Sequence, residues 1–475
     1  MRVRTTIPLS CDNVAALPDV TKRGHVIVGK NSDRPATESQ PLVFNDGNSH
    51  AAGDPIELAY RDLPRTETTF ATLGAAPYWC WGYELGINEH GVTIGNEAVF
   101  TKPLRRALDQ ARAGTHQEHG IIGMEYVRLG LERAETARAA VDVITDLLER
   151  YGQFGSAVAG ESDEEGAYDN SYLLCDRDEA WILETAGTHW AAKRISSGTA
   201  AISNELSIRS RSTDRSRGLE ERARAREWWS GDHPFDFARA YTDHETAAQV
   251  SRIRVQRSRE LLRSMERTGE IDIGDCKRIL RDHYEETFLD GPKFNAALPD
   301  FLTICMHSSP AEFTWGNTVS SVVFDLSPDG IDTMWWTPIP PCVGAYVPFY
   351  VDSGGVPDVV SRAGTAGRDL TAPPNVPRDD YAEGSYWWEF MALLELVKGD
   401  EHGSEFNRNQ PIVRSVFDEV EDAFVIEAEA VEREAQELYA AGDPDAARTV
   451  LSSFSADCVS TVRRTIDRLT RMLGE

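Results

Sequence analysis

Short apolar runs separated by polar turns predict β-strands over most of the first hundred residues. Two such arrangements stand out: CDNVAAL and HVIVGK flank the turn PDVTKRG, and WGYELGIN and VTIGNEAVF flank the turn EHG. Apolar strand segments joined by a few turn residues are typical of β-hairpins. We therefore predict two antiparallel hairpins in this part of the chain.

A helical period replaces this pattern between residues 119 and 151. In TARAAVDVITDLLERYG the apolar residues recur every three or four positions, with Thr136 placed to cap the helix and Gly152 to end it. Everything after Ser385 is also predicted to be helical. The same kind of pattern predicts further helices at 215–231, 243–266, 411–440 and 443–472.

The remaining apolar runs predict two more blocks of strands. One contains NSYLLCD, EAWILETAG, HWAAKRI and TAAISNEL, and the other extends from Phe301 to Trp336. Residues 352–380 are rich in Gly, Pro and Asp and predict a long loop or linker. Strand blocks alternating with pairs of helices favour an α+β fold of two packed antiparallel sheets with helices outside, because a doubly wound parallel sheet would alternate single strands with single helices.

The net charge of the chain argues against some classes of binding partner. The 475-residue chain has a formal net charge of −28, and only seven of its 49 basic residues are Lys. Such an acid excess argues against binding to nucleic acids or to anionic membranes, both of which attract clustered cations. Many carboxylates with few ammonium groups also keep a protein hydrated at high salt, so we expect a halophilic source. The alternative is an ordinary acidic protein from a GC-rich genome.

The seven cysteines form no CxxC pair. A disulfide framework and a zinc ribbon are therefore not expected, and the cysteines fit a reducing cytoplasm. The first residues, MRVRTTIPLS, lack the apolar core of a secretory signal, and no apolar stretch is long enough to span a membrane. No GxGxxG or Walker loop follows a strand, so nucleotide binding has no support. We expect a cytoplasmic location.

Cys11 is the first candidate for chemistry. It follows a short leader and begins a predicted strand whose hairpin partner ends in VGKNSDRP, residues 28–35. Pairing of the two strands would bring Lys30 and Asp33 beside the thiol, where a cation and a carboxylate could activate it. Two alternatives remain: Cys11 is a buried core residue, and the polar cluster only caps a turn.

Two asparagines interrupt apolar strands. Asn96, with Glu97 beside it, lies in VTIGNEAVF, and Asn204 lies in AISNELSI. A buried amide is costly unless it has partners, and an amide N–H can stabilise an oxyanion. The alternative is that each is a turn residue.

Five segments in order resemble the secernins, a dipeptidase-like family of N-terminal nucleophile hydrolases. CMHSS, WWTPIPPC and VPFY extend the resemblance to about residue 352, and SYWWEF in the helical tail fits it less distinctively. The resemblance implies an αββα four-layer sandwich. The five segments are CDNVAALPDVTKRGHVIVGKNSDRP, WGYELGINEHGVTIGNEAVFTK, IIGMEYVRLGLERAETARAAVDVITDLLERYGQ, DNSYLLCDRDEAWILETAGTHWAAKRI and AISNELSI.

The resemblance also implies a mechanism. A propeptide of residues 1–10 would be cut off between Ser10 and Cys11, leaving the Cys11 thiol as nucleophile and its own α-amine as base. An α-amine has a pKa near 8, about right for taking the thiol proton at neutral pH. No catalytic histidine is then needed, although His307 in CMHSS is notable.

Similarity to bile-salt hydrolases and penicillin V acylases implies further roles. Lys30 and Asp33 would flank the nucleophile, with Asp33 hydrogen-bonding the α-amine, while Asn96 and Asn204 would serve as oxyanion and amine-orienting residues. Those relatives carry Arg at the position of Lys30. They also use a second, later Arg whose counterpart is not found between Phe301 and Leu326, and the secernin start is commonly CDT where this chain has CDN.

We therefore expect an N-terminal cysteine hydrolase of small amides, most simply a dipeptidase, with no cofactor and no metal. The alternatives are a non-peptide amidase, such as an acyl-amino-acid or acyl-lactone hydrolase, and a catalytically silent scaffold whose C-terminal helices bind a partner. The expected partners are a small peptide or amide substrate, with no nucleic acid and no membrane, and homo-oligomerisation stays open. The expected domains are the propeptide 1–10, a catalytic domain 11–355, and a linker with a helical extension 356–475.

Overall fold

The structure is a computed structural model, and it describes most of the chain. The described residues are 10–50, 54–115, 118–246, 251–290, 294–299, 301–310, 314, 316–328, 330–368 and 370–474.

The strands in these residues are numbered in chain order. They are β1 (Ser10–Ala16), β2 (Val26–Pro35), β3 (Leu42–Asn45), β4 (Asn48–Ser49), β5 (Pro55–Glu57), β6 (Asp62–Pro64), β7 (Thr68–Thr69), β8 (Thr72–Ala75), β9 (Leu85–Asn88), β10 (Thr93–Val99), β11 (Asp169–Cys175), β12 (Ala180–Ala186), β13 (His189–Ile195), β14 (Thr199–Ile202), β15 (Asp214–Arg215), β16 (Gly316–Leu326), β17 (Thr333–Pro338) and β18 (Val347–Phe349).

The helices are numbered in the same way, and two single 3₁₀ turns occupy Val351–Ser353 and Pro373–Asn375. They are α1 (Lys102–Arg112), α2 (Gly123–Leu131), α3 (Ala137–Tyr151), α4 (Asp163–Gly166), α5 (Leu219–Ala225), α6 (Phe237–Tyr241), α7 (Ser251–Glu266), α8 (Ile273–Leu280), α9 (Asp358–Ser361), α10 (Tyr386–Lys398), α11 (Phe406–Ala440) and α12 (Pro444–Leu473).

Two antiparallel sheets form the centre of the molecule. One has the strand order β14-β1-β2-β16-β17-β18, and the other has the order β15-β13-β12-β11-β10-β9-β8-β3. Strands β1 and β10 contact each other across the space between the sheets. Helices α7 and α8 cover the outer face of the first sheet, and α2 and α3 cover the second. This is the αββα sandwich that the resemblance predicted, so the fold class is confirmed.

The C-terminal helices pack onto this sandwich. Helix α12 contacts β18, α10 and α11, and side chains of α10, α11 and α12 share one hydrophobic core with both large sheets. Both long helices are confirmed, although α11 begins before Pro411 rather than at it, and the proline lies inside the helix. The boundary expected near residue 355 stays a prediction. No helix in the described part of the chain is long and apolar enough to cross a bilayer.

The two hairpins and the capped helix predicted from turn and capping residues are confirmed. Both hairpins are present, and α3 begins after Thr136, whose side chain accepts a hydrogen bond from Ala139 N–H, and ends at Gly152. The segment predicted as helix 215–231 is shorter, because Gly218 precedes it and Glu227 adopts a left-handed backbone (φ 59°) just after it. The prediction for 243–266 holds from Ser251 onward, and residues 247–250 lie outside the described residues.

Two predictions at strand ends are wrong. Strand β2 does not stop at Lys30 but continues through the polar cluster to Pro35, because its backbone pairs with β1 on one side and with β16 on the other. The strand block predicted from Phe301 begins only at Gly316. Residues 301–310 are irregular because their backbone groups bond elsewhere: Cys305 N–H donates to Asp282 O, and Met306 N–H donates to the Thr318 hydroxyl.

Candidate active site

The register of the first hairpin brings the predicted polar residues to Cys11. Strands β1 and β2 pair antiparallel, with Ser10 opposite Asp33, Cys11 opposite Ser32 and Asn13 opposite Lys30. Strand β16 pairs with the other edge of β2, so β2 is an interior strand of its sheet. The register places Asp33 next to Cys11 and Lys30 two positions further along the hairpin, while the catalytic roles predicted for them stay predictions.

Cys11 is almost fully enclosed, with 6% of its surface exposed. Its Sγ accepts a hydrogen bond from the backbone N–H of Asp33 at 3.4 Å, and its own N–H donates to Asn204 Oδ1 at 2.9 Å. Burial raises the pKa of the thiol well above its ordinary value, and Glu97 raises it further, while the Lys30 ammonium opposes both. This enclosed arrangement therefore favours the neutral thiol over the thiolate.

Lys30 projects into a buried pocket of acceptors between the sheets. Its Nζ donates to Glu84 O at 2.5 Å and Asn96 O at 2.7 Å, and lies 3.2 Å from Glu84 Oε2. Glu84 also lies 3.4 Å from Arg34 Nη1, and Arg34 in turn pairs with Glu38. The cation is thus anchored to the neighbouring sheet rather than to the thiol, and acts on Cys11 through its charge.

Asp33 is fully buried, and only one of its two carboxylate oxygens has a hydrogen-bond partner among the described residues. Its Oδ1 accepts a hydrogen bond from the Thr318 hydroxyl at 2.6 Å, while Oδ2 has no hydrogen-bond partner among the described residues. The Cys11 nitrogen donates to Asn204 and not to Asp33. Burial raises the pKa of Asp33 above its ordinary value, and nearby Arg254 lowers it.

The two predicted asparagines take different positions. Asn204 accepts from the Cys11 nitrogen, and its own Nδ2 donates to Ala98 O at 2.9 Å, so its amide is oriented by two strands. Asn96 donates from Nδ2 to Asn170 Oδ1 at 3.1 Å, and its Oδ1 lies 3.3 Å from Lys30 Nζ. One N–H of the Asn96 amide therefore bonds to β11, and the other has no acceptor among the described residues.

Glu97 and Asn13 connect the two sheets next to the thiol. Asn13 Nδ2 donates to Glu97 Oε1 at 2.5 Å, and burial raises the pKa of Glu97 well above its ordinary value. Gly95 makes this close approach feasible, because a Cβ at that position would lie 2.6 Å from Asn13 Oδ1 and 2.7 Å from Lys30 Cδ. Asn13, which departs from the commoner Thr of the resembled family, thus acts as an inter-sheet donor.

Arg254 on α7 is the cation that sequence reasoning missed. It is fully buried, and its guanidinium donates to three groups around the hairpin: Asp12 Oδ2 at 2.5 Å, Cys11 O at 3.0 Å and Asn204 Oδ1 at 2.8 Å. Burial raises the pKa of Asp12 to about 7 even though Arg254 lowers it. Helix α7 contains five arginines, so the sequence offers no sign of which one points inward.

Several buried polar atoms around Cys11 have no hydrogen-bond partner in the described part of the chain. These atoms are Ser10 Oγ, Asp12 Oδ1, Asp33 Oδ2, Glu97 Oε2 and Arg254 Nε. A concentration of unpartnered buried groups at one place is uncommon in proteins, where most such groups are satisfied. The arrangement therefore leaves donors and acceptors available for a bound molecule or for new N–H groups at Cys11.

Comparison with known proteins identifies the family. The profile of peptidase family C69 matches residues 55–298, just over half of the chain, and the chain belongs to this family. The matched region contains Asn96 and Asn204 and begins after Cys11, Lys30 and Asp33.

The match to an individual relative covers a smaller part of the chain than the family profile does. The chain is 29% identical over 126 residues to the probable dipeptidase B of Lactococcus lactis subsp. lactis (strain IL1403); the match covers 26% of this chain and 23% of that protein. The chain thus spans about a quarter of the length of the curated relative it matches.

Among solved structures, the chain is similar to a variant of the conjugated bile acid hydrolase from Clostridium perfringens. The two share 13% identity with a TM-score of 0.38, and the match covers 68% of this chain and 88% of that one. The penicillin V acylase from Agrobacterium tumefaciens has 10% identity and a TM-score of 0.36, with coverage of 72% and 86%.

Proposed function

We propose that the protein is an N-terminal cysteine hydrolase that cleaves a small amide, most simply a dipeptide. The observation that carries the proposal is the setting of Cys11: its nitrogen is held by Asn204 and its sulfur by the Asp33 N–H, at the centre of a buried polar cluster. Membership of a peptidase family and the similarity to a probable dipeptidase support the reaction class.

Maturation is the first step of the proposal. While Cys11 is joined to Ser10, its nitrogen is an amide with no lone pair to accept a proton. Hydrolysis of the Ser10–Cys11 bond converts it to an α-amine, whose ordinary pKa of about 8 suits a general base at neutral pH. The new amine has more N–H groups than the amide, and the unpartnered Asp33 Oδ2 is available to accept one of them.

Acylation then uses the two ends of the same residue. The amine takes the thiol proton, the sulfur attacks the substrate carbonyl carbon, and the carbonyl π electrons move to oxygen. When the C–N bond breaks, the Cys11 ammonium gives its proton to the leaving amine, leaving a thioester. Asn96, with one uncommitted N–H, is the proposed oxyanion donor, a role worth about 3–4 kcal/mol of transition-state stabilisation in other hydrolases.

Deacylation repeats these transfers with water. The Cys11 amine takes a proton from water as the oxygen attacks the thioester carbonyl carbon. The C–S bond then breaks, the acid leaves, and the proton returns from the amine to the sulfur. Lys30 and Arg254 supply positive charge near these steps without making a covalent bond: Lys30 favours the thiolate, and Arg254 holds Asn204 and the Cys11 carbonyl in place.

The similarity to a probable dipeptidase favours a dipeptide over an acyl amide as the substrate. A dipeptide carries a free α-ammonium, and the unpartnered Glu97 Oε2 is an acceptor in the cluster that such a group can use. An N-acylated substrate has no such ammonium.

The experiment combines mass and turnover. Intact mass of the purified protein should correspond to a chain that begins at Cys11, and Cys11→Ala should retain the leader, whereas Cys458→Ala on α12 should process normally. The mature protein should hydrolyse unprotected dipeptides faster than their N-acetyl derivatives. Turnover by a preparation that keeps residue 10 would contradict the mechanism, and preference for the acetylated compounds would contradict the substrate assignment.

A further inference from the structure

Four metal-ligating side chains converge on one buried point away from the Cys11 cluster. They are His283, which follows α8, Cys305 and His307, which precede β16, and Cys342 between β17 and β18. All four are buried, and their ligand atoms lie within 4.8 Å of one another. None of the four takes part in the mechanism proposed above.

The separations within this group match a tetrahedral site. The Nε2 atoms of His283 and His307 are 3.3 Å apart, and His307 Nε2 lies 3.3 Å from Cys342 Sγ and 3.8 Å from Cys305 Sγ. Zinc bonds of about 2.0–2.1 Å to nitrogen and about 2.3 Å to sulfur, at tetrahedral angles, require N···N near about 3.3 Å and N···S near about 3.5 Å.

The surroundings of His283 prepare it to bind a metal. Its Nδ1 lies 3.0 Å from Glu285 Oε1, and a carboxylate only accepts hydrogen bonds when ionised, so Nδ1 carries the hydrogen. The lone pair of the neutral ring is then on Nε2, which faces the other three ligands. A carboxylate behind a ligating imidazole is the usual outer partner at zinc sites.

We propose that His283, Cys305, His307 and Cys342 bind one Zn²⁺ ion in a closed Cys₂His₂ site. Two thiolates and two imidazoles in tetrahedral arrangement select zinc over magnesium or calcium, which prefer oxygen ligands. Four protein ligands leave no position for water or substrate, so the ion is structural and not catalytic. A surface cavity bordered by His283, Cys342 and Phe406 provides the route of entry.

The ion would join three separate chain segments, and one of them contacts the candidate active site. Met306, between two ligands, pairs with Thr318 through Met306 N–H to Thr318 Oγ1 and Thr318 N–H to Met306 O. The Thr318 hydroxyl in turn donates to Asp33 Oδ1. A zinc ion here would therefore fix the segment that positions the Asp33 carboxylate.

Metal analysis of the full chain tests this site without relying on activity. We expect wild-type protein purified without chelators to contain about one zinc per chain by mass spectrometry of the metal, as a closed four-ligand site requires. Cys305→Ser and Cys342→Ser should lose it, whereas Cys276→Ser, a buried cysteine on α8 outside the cluster, should keep it. Wild-type protein without zinc, or zinc retained by both ligand variants, would overturn the proposal.

Two further measurements cover the case in which a ligand variant fails to fold. Replacement of zinc by cobalt in the wild type should produce a thiolate-to-cobalt charge-transfer band and the intense visible bands of a tetrahedral ion; their absence would overturn the proposal. Glu285→Gln keeps all four ligands but weakens the partner of His283, so zinc affinity measured against a chelator should fall about 10–100-fold. An unchanged affinity would count against the assigned geometry.

Discussion

The backbone nitrogen of Cys11 donates a hydrogen bond to Oδ1 of Asn204 at 2.9 Å, although the two residues are 193 positions apart. The same oxygen accepts from Arg254 Nη2, and the Asn204 Nδ2 donates to Ala98 O. Asn204 is thus held by a strand of the second sheet and by a helix of the outer layer. Its amide is in place before any substrate arrives, so the orientation of the Cys11 nitrogen is a property of the fold.

Asp33→Asn separates catalysis from stability. The amide retains an acceptor for the Thr318 hydroxyl but cannot carry the charge that would orient a protonated Cys11 amine. We expect kcat to fall by about 100-fold or more with KM little changed, in line with general acid–base contributions. Since burial raises the pKa of Asp33, loss of this charge should leave the melting temperature unchanged or higher.

The matched control is Asp325→Asn, which alters a carboxylate on β16 that pairs with His25 away from Cys11. Its kcat should equal that of the wild type. A normal kcat in Asp33→Asn, measured after mass analysis has shown that the leader is removed, would assign Asp33 a purely structural role.

Arg254→Met tests the buried cation of α7. Removing one partner of a buried ion pair leaves the other charge uncompensated and typically costs about 3–5 kcal/mol. We expect a loss toward the lower end of this range at pH 8, measured by urea unfolding, because the pKa of Asp12 is already raised to about 7 and the carboxyl can take up a proton. Turnover should also fall, because Asn204 loses a donor.

Two companion variants check the Arg254 prediction. Arg252→Met alters an arginine on the same helix whose side chain is 77% exposed, and it should change the free energy of unfolding by less than about 1 kcal/mol. Asp12→Asn added to Arg254→Met should recover part of the lost stability, since it removes the orphaned carboxylate. Equal effects of the Arg252 and Arg254 variants would refute the ion-pair account.

Glu125 on α2 makes stability depend on pH. Burial raises its pKa to about 7, while hydrogen bonds from Ala59 N–H and Ile122 N–H lower it. Because the folded pKa lies above the unfolded value of about 4.3, the folded state binds more protons in this interval and its stability falls as pH rises from about 4 to about 7.

The Glu125→Gln variant removes this titration. Its stability relative to the wild type should therefore increase by about 1–3 kcal/mol between pH 5 and pH 8. Chemical unfolding at the two pH values gives the difference, and Glu135→Gln, which alters an exposed side chain, should show no such change. A constant difference between Glu125→Gln and wild type would contradict the raised pKa.

The net charge of −28 predicts stabilisation by salt. Increasing KCl from 0.1 M to 1 M shortens the Debye length from about 10 Å to about 3 Å and weakens repulsion among the carboxylates. The melting temperature should rise over this range, and sucrose of matched osmolality should produce a smaller rise. A flat or falling melting curve would remove the halophilic interpretation and leave the proposed chemistry unaffected.

The proposed zinc ligands lie beyond what spacing in the sequence can detect. The chain has no CxxC pair, which still argues against a zinc ribbon, and Cys305 and Cys342 meet only through the packing of separate segments. The sequence analysis singles out His307 but gives no reason to single out its neighbour His283. Ligand spacing along the chain detects sites that form within one local motif, and this group is assembled from three.

The sequence by itself determined the local elements and the first hairpin. Hydrophobic periodicity and turn residues act over a few positions, so the strands beside Cys11, the capped helix α3 and the long C-terminal helices could all be predicted from the printed residues. The pairing of these two strands was also predictable, whereas their register across residues 17–25, with Ser10 opposite Asp33 and Asn13 opposite Lys30, came from the structure.

Only the tertiary structure decided which distant groups complete the cluster. Arg254, Glu84 and Thr318 reach the hairpin from α7, the opposite sheet and β16, and nothing in their neighbouring residues distinguishes them from exposed side chains. The physical reason is that burial and hydrogen-bonding partners depend on how layers pack, which is a non-local property. The partners of Cys11 and Asp33 were therefore set when the two sheets and the outer helix came together.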